Sequence, residues 1–101
     1  MARRTTSKTE NTITENTNVC ICGTLEKVFE GKKANYLTVK AMRGNNYDLF
    51  NVDCPHSIAL PDDGEKVTII GTLSTFWDKE KRMQKVIITA KSVTTPDGEP
   101  F

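Results

Sequence analysis

The sequence predicts an all-β domain, a five-stranded Greek-key barrel with mobile tails at both ends. Three observations predict it. Apolar and polar residues alternate at period two through most of the chain, and no helical apolar period persists for the length of a helix. Two stretches, "NVCICGTLEKVF" and "KVTIIGTLSTFW", share V-x-I-x-G-T-L, the first from Val19 and the second from Val67. Each copy carries a glycine in mid-strand, Gly23 and Gly71, which weakens a strand unless a bend or close approach requires it. Strongly coiled strands of this kind close a small barrel. A small β-sandwich and an SH3-like barrel satisfy the same alternation.

Residues 1–17, "MARRTTSKTENTITENT", hold Ile13 as the one large apolar residue after Met1, too little to offset the entropy of ordering, so a mobile tail is expected. The first strand, "VCICGTL", places Val19, Ile21, Gly23 and Leu25 on one face. The second, "YLTVKA", turns Leu37, Val39 and Ala41 inward and Tyr36, Thr38 and Lys40 outward. "YDLFNV" reads as a third strand whose facing the pattern leaves open. "CPHSIALPDDGEK", bracketed by Pro55 and Pro61, has room for a single turn. "KVTIIGTL" repeats the first pattern through Val67, Ile69, Gly71 and Leu73, and "KVIITAKSV" closes the set with Val86, Ile88 and Ala90 on one face. "TTPDGEPF" is broken by Pro96, Gly98 and Pro100. The domain is expected over 18–94 and a second tail over 95–101.

The chain has 101 residues, enough for one such domain, and 27% of them are charged. Fourteen Lys and Arg face thirteen Asp and Glu. That balance excludes a broadly basic, histone-like binder but leaves room for a local basic groove. No apolar run approaches the roughly 18 residues of a membrane span. "MARRTTSKTE" has no apolar core to act as a secretory signal, and three cysteines make no disulfide framework. A cytoplasmic protein is expected.

"LPDDGEKVTIIGTLSTFWDKEKRMQKVIITAKSV" resembles the second half of bacterial and phage single-stranded DNA-binding proteins with the oligonucleotide-binding (OB) fold. Leu60, Gly64, Val67, Gly71, Leu73, Trp77, Val86, Ala90 and Val93 match that family in type and order. Short relatives of the primosomal replication protein B type share the "GTL" of the first strand. The helix usual between strands 3 and 4 is absent from the pattern, and "NVCICGTLEK" replaces the family's Asn-x-x-x-Leu-x-Gly-Arg start. The resemblance implies binding of single-stranded DNA without strong sequence preference, in replication, recombination or repair. The family commonly assembles through strand 1, where this chain departs from its pattern; a homo-oligomer, dimer or tetramer, is expected here because one barrel offers a short binding track. The ending "PDGEPF" is similar to the family's acidic tail closing on Pro-Phe, which implies docking of Pro100 and Phe101 on replication or repair proteins. An ordinary tail is the plain alternative.

Binding a single strand needs π-faces for unpaired bases and cations that follow the phosphates. In an OB barrel that surface is the face of strands 2 and 3, walled by the loops between strands 1 and 2 and between 4 and 5. The expected nucleic-acid contacts are Lys32, Lys33 and Tyr36 from the first loop and its exit, and Lys40, Arg43 and Tyr47 from the middle. Trp77, Lys79, Lys81, Arg82 and Lys85 come from the second hairpin. Trp77, the only tryptophan, sits at the tip of a charged hairpin instead of the core, which suits stacking on a base. It would equally cap the barrel or fill an interface. "DKEKR" doubles as a solvated turn, and Phe29 and Phe50 read as core or rim.

Cys20 and Cys22 with Cys54 and His56 would make a Cys3His zinc set, but an i, i+2 pair on one strand face wraps a metal poorly. The plainer reading buries each cysteine as a small hydrophobe. No metal or cofactor is expected. One histidine and no nucleophile with a plausible base make catalysis unsupported. An RNA-binding OB module, and an OB module for protein interaction without nucleic acid, are the alternative functions.

Overall fold

A computed structural model describes residues 15–101. The tail expected over 1–17 lies almost wholly outside the described residues. Five strands follow one another: β1 (Asn18–Glu30), β2 (Asn35–Arg43), β3 (Asn46–Cys54), β4 (Lys66–Asp78) and β5 (Met83–Thr94). They close into a barrel in the order β1-β2-β3-β5-β4, which selects the barrel over the sandwich. All neighbours are antiparallel except β3 and β5, which meet in parallel at Val52↔Ile88 and Asp53↔Thr89.

The repeated V-x-I-x-G-T-L stretches pair with each other. Ile21 lies opposite Ile69, Val19 opposite Gly71 and Gly23 opposite Val67, so each glycine faces the other copy's valine. A third strand fills the space that each glycine leaves. A Cβ on Gly23 would run into the Lys40 carbonyl oxygen of β2, and one on Gly71 into the Thr89 carbonyl oxygen of β5. Thr24 is the hinge of this arrangement, registered with Lys66 on one side and Lys40 on the other. Up to that point β1 belongs to β4, and beyond it to β2.

The interior is Ile21, Leu25, Leu37, Val39, Val52, Cys54, Val67, Ile69, Ala90 and Val93. Burying each larger aliphatic is worth about 1.5–3 kcal/mol. β3 resolves its facing with Val52 and Cys54 inward and Phe50 packed against the core, while Tyr47, Leu49 and Asn51 are exposed. Between β3 and β4 a single turn, in which the Ile58 N–H donates to the Pro55 carbonyl at 3.1 Å, brings Ile58 and Leu60 onto the core.

Burial departs from the alternation in three places. Val86 shares the inward side with Ile88 and Ala90 but lies on the part of the hairpin beyond the barrel, 64% exposed. A register shift in β5 then replaces it with Val93. Cys20 and Cys22 are exposed on the outer side of β1, and of the three cysteines Cys54 alone is buried. Phe29 is not part of the core, at 67% exposure.

Beyond β5 the chain turns back. The Thr95 N–H donates to the Glu99 carbonyl at 2.8 Å, and Pro100 bridges to Thr94.

Candidate nucleic-acid interface

Register assembles the outer face of β1, β2 and β3 into rows. Phe29 and Tyr36 form the first, their ring centroids 6.1 Å apart and their planes tilted by 30°. Lys27, Thr38 and Asn51 form the next, with the Thr38 hydroxyl donating to the Asn51 side-chain oxygen at 3.5 Å. Lys40 and Leu49 follow, then Met42 and Tyr47. The Lys40 ammonium stands 4.5 Å from the centre of the Tyr47 ring. Phe29, Tyr36, Met42, Tyr47 and Leu49 are all exposed, an apolar patch with cations set among the rings.

One wall of this face is the turn between β1 and β2. The Gly31 N–H donates to the Ala34 carbonyl at 2.9 Å, and the His56 Nε2–H donates to the Gly31 carbonyl at 2.9 Å. The Tyr36 ring lies directly over Gly31: an added Cβ would come within 2.5 Å of it. Lys32 and Lys33 are exposed in this turn.

The second wall expected for this face is the hairpin of β4 and β5. Asp78 is not a solvated charge but the clasp of the turn. Its side-chain oxygen accepts from the N–H groups of Glu80 and Lys81 at 3.0 and 3.1 Å, and its carbonyl accepts from the Arg82 N–H at 2.7 Å. Arg82 takes a left-handed φ of 55° to complete it. Lys79, Lys81 and Arg82 are exposed at the tip, and Lys85 reaches Asp78 at 3.7 Å. Lys85, within hydrogen-bonding reach of Lys81 and of like charge, holds the Lys81 ammonium below its ordinary pKa.

Two expected contacts face away from a neighbouring one. Trp77 is registered with Gln84, on the side of the hairpin that continues the barrel interior through Leu73 and Thr75. Lys85 is registered with Phe76, on the outer side. Trp77 and Lys85 therefore face opposite ways, and Phe76 is the ring that shares a side with the lysine. Arg43 sits on the opposite side of β2 from Lys40, where its Nε and Nη2 donate to the two Asp48 carboxylate oxygens at 3.1 and 3.2 Å. The guanidinium's hydrogen bonds hold the Asp48 carboxyl below its usual range.

Sequence reasoning missed Lys27, Thr38, Met42, Leu49, Asn51 and Phe76. The outward alternation of "YDLFNV" and "STFW" was a usable signal for Leu49 and Phe76, but only register makes them neighbours of Lys40 and Lys85. The cysteines do not gather: Cys54 is inside the barrel on β3, Cys20 and Cys22 are outside on β1, and β1 and β3 are not adjacent. Among the described residues no set of three or more His, Cys, Asp or Glu could hold a metal ion. Pro100 is tied to the end of β5, and Phe101 remains exposed beside it.

No protein-family model and no curated protein sequence matches the chain. Solved structures do resemble it. The mitochondrial single-stranded DNA binding protein Rim1 of S. cerevisiae superposes with a TM-score of 0.63 at 8% identity, over 81% of this chain and 94% of its own. A small single-stranded DNA binding protein of Mycoplasma pneumoniae superposes with a TM-score of 0.56 at 17% identity, over 84% and 98%. At such identities the likeness establishes architecture: the chain is an OB barrel of the kind these single-stranded DNA binding proteins carry.

Proposed function

We propose that the chain binds single-stranded DNA, with little preference for sequence, along the outer face of β1, β2 and β3. The observation that carries this reading is the grouping of exposed rings and an ammonium on one face, Phe29 registered with Tyr36 and Lys40 reaching diagonally to Tyr47. A base stacked on one ring is worth about 1–3 kcal/mol, whichever base it is. Lys27, Lys32, Lys33, Lys40 and Lys85 supply phosphate contacts around the rings. The main base-reading groups on the face, Thr38 and Asn51, are already bonded to each other, which favours tolerance of sequence.

No reaction is assigned to this surface: its work is to hold and present a strand in replication, recombination or repair. One barrel offers a short track, so dimers or tetramers bound side by side along the strand suit the task, and a cytoplasmic location fits it. Pro100 and the exposed Phe101 ring suit an apolar pocket on a replication or repair protein.

The test is fluorescence anisotropy of a labelled dT oligomer titrated with the protein at two salt concentrations. Unlabelled dT, rU and duplex DNA serve as competitors. Binding that weakens with salt and yields to dT but not to duplex supports the reading. Preferential displacement by rU would move it to RNA, and a flat titration would leave protein interaction as the function.

A further inference from the structure

Where β1 leaves β2 to join β4, its two neighbours separate. On the outer side this separation is a cleft of about 350 Å³. Lys40 and Met42 wall it on the β2 side, Lys66 and Thr68 on the β4 side, with Cys22 and Thr24 between them. Because Thr24 is registered with both Lys40 and Lys66, the two lysines stand in one row across three strands. Two strand spacings put their backbones about 10 Å apart. No described carboxylate lies within ion-pair distance of Lys40 or Lys66. The remaining polar atoms of the cleft include the hydroxyls of Thr24 and Thr68 and the Cys22 thiol, whose Sγ lies 3.6 Å from the Thr68 Oγ1.

We propose that a single strand held on the β2–β3 face continues across β1 through this cleft, placing a phosphate on Lys66. The inference rests on the single-strand reading above and extends it to a surface outside the barrel face and loops already described. Continuity supports it: Lys40 belongs to both surfaces, packed on Tyr47 at one side and walling the cleft at the other. Charge supports it as well, since two ammonium groups with no described carboxylate partner flank a lining that holds no acid, and a polyanion is the ligand that such a row attracts. The strand would therefore turn from a stacked path over rings to a path held by phosphates alone. That arrangement predicts a binding length longer than the rings by themselves account for.

Cys22 is a built-in reporter of the cleft. In a Cys20→Ser protein it is the remaining exposed cysteine, Cys54 being buried. Its alkylation rate is measured with iodoacetamide, alone and with dT oligomers near the ends of the about 4–16 nucleotide range of OB barrels. Anisotropy confirms that each oligomer is bound. The expected result is that the short oligomer leaves Cys22 as reactive as in the free protein and the long one slows it several-fold. Lys66→Gln should remove that protection and lower the slope of log K against log salt for the long oligomer by about 0.7, one phosphate's share on a single strand. Lys66→Arg should restore both. If the long oligomer binds while Cys22 stays fully reactive and Lys66→Gln leaves the slope unchanged, the path through the cleft is wrong and the single-strand reading stands. If no oligomer raises the anisotropy, both are wrong.

Discussion

Lys40 holds its ammonium 4.5 Å from the centre of the Tyr47 ring, a diagonal reach from β2 to β3. Lys40 is registered with Leu49 and Tyr47 with Met42, so the pair is one step off direct opposition. The contact keeps a cation and a π-face within one nucleotide's reach of each other. A base on Tyr47 and its phosphate on Lys40 would use both groups together. Tyr47→Ala is expected to weaken dT binding by about 1–3 kcal/mol, roughly 5- to 150-fold, and Tyr47→Phe to preserve it. Anisotropy titrations check this, and equal losses in the two variants would show that the ring itself carries no base.

The two adjacent aromatics of the β4–β5 hairpin should behave differently. Phe76 lies on the outer side with Lys85, and Trp77 on the other with Gln84. A strand on the outer face meets Phe76, so Phe76→Ala is expected to cost about 1–3 kcal/mol of binding. Trp77→Phe should stay within about 0.5 kcal/mol, as for a surface change away from the contact. Trp77 fluorescence offers an independent check, because strong quenching by dT would place the base on the tryptophan and reverse the assignment.

Close approach makes two glycines informative in different ways. Gly31→Ala sets a methyl against the Tyr36 ring in an exposed turn, so it should displace the ring and weaken binding with little change in unfolding midpoint. Gly23→Ala sets a methyl against a β2 carbonyl at the barrel corner, where overpacking costs about 1–3 kcal/mol. Urea unfolding of both variants separates the cases. Equal destabilisation would mean that the turn is as unyielding as the corner.

Lys81 gives the hairpin tip a pH signature. Lys85 lowers its pKa in the free protein, whereas a phosphate favours the charged form and raises it in the complex. Binding therefore takes up a proton between those two values, and affinity should fall as pH rises from the free pKa towards the bound one. Lys81→Met should flatten that alkaline fall. An unchanged profile in the variant would remove Lys81 from the interface.

Local alternation was enough to read five strands, the inward sets of β2 and most of β4, and the need for Gly23 and Gly71. Period two is a property of each strand by itself, and the repeated V-x-I-x-G-T-L marks the coiled pair without reference to the rest. Tyr36 and Lys40 of the face were legible for the same reason, as outward residues between buried ones. Which of them meet was not. That depends on the register each strand takes with its neighbours, shifted by the irregularities near Lys27 in β1 and Ala90 in β5, and for Lys40 and Lys66 on the pairing of β1 with the distant β4. Tertiary pairing put Phe29 over Tyr36, gave Lys85 to Phe76 instead of Trp77, engaged Arg43 with Asp48, and opened the cleft between Lys40 and Lys66. A strand's own pattern says which residues face out, and only its register with the strands beside it, fixed by the energy summed over the whole barrel, decides which outward residues become neighbours.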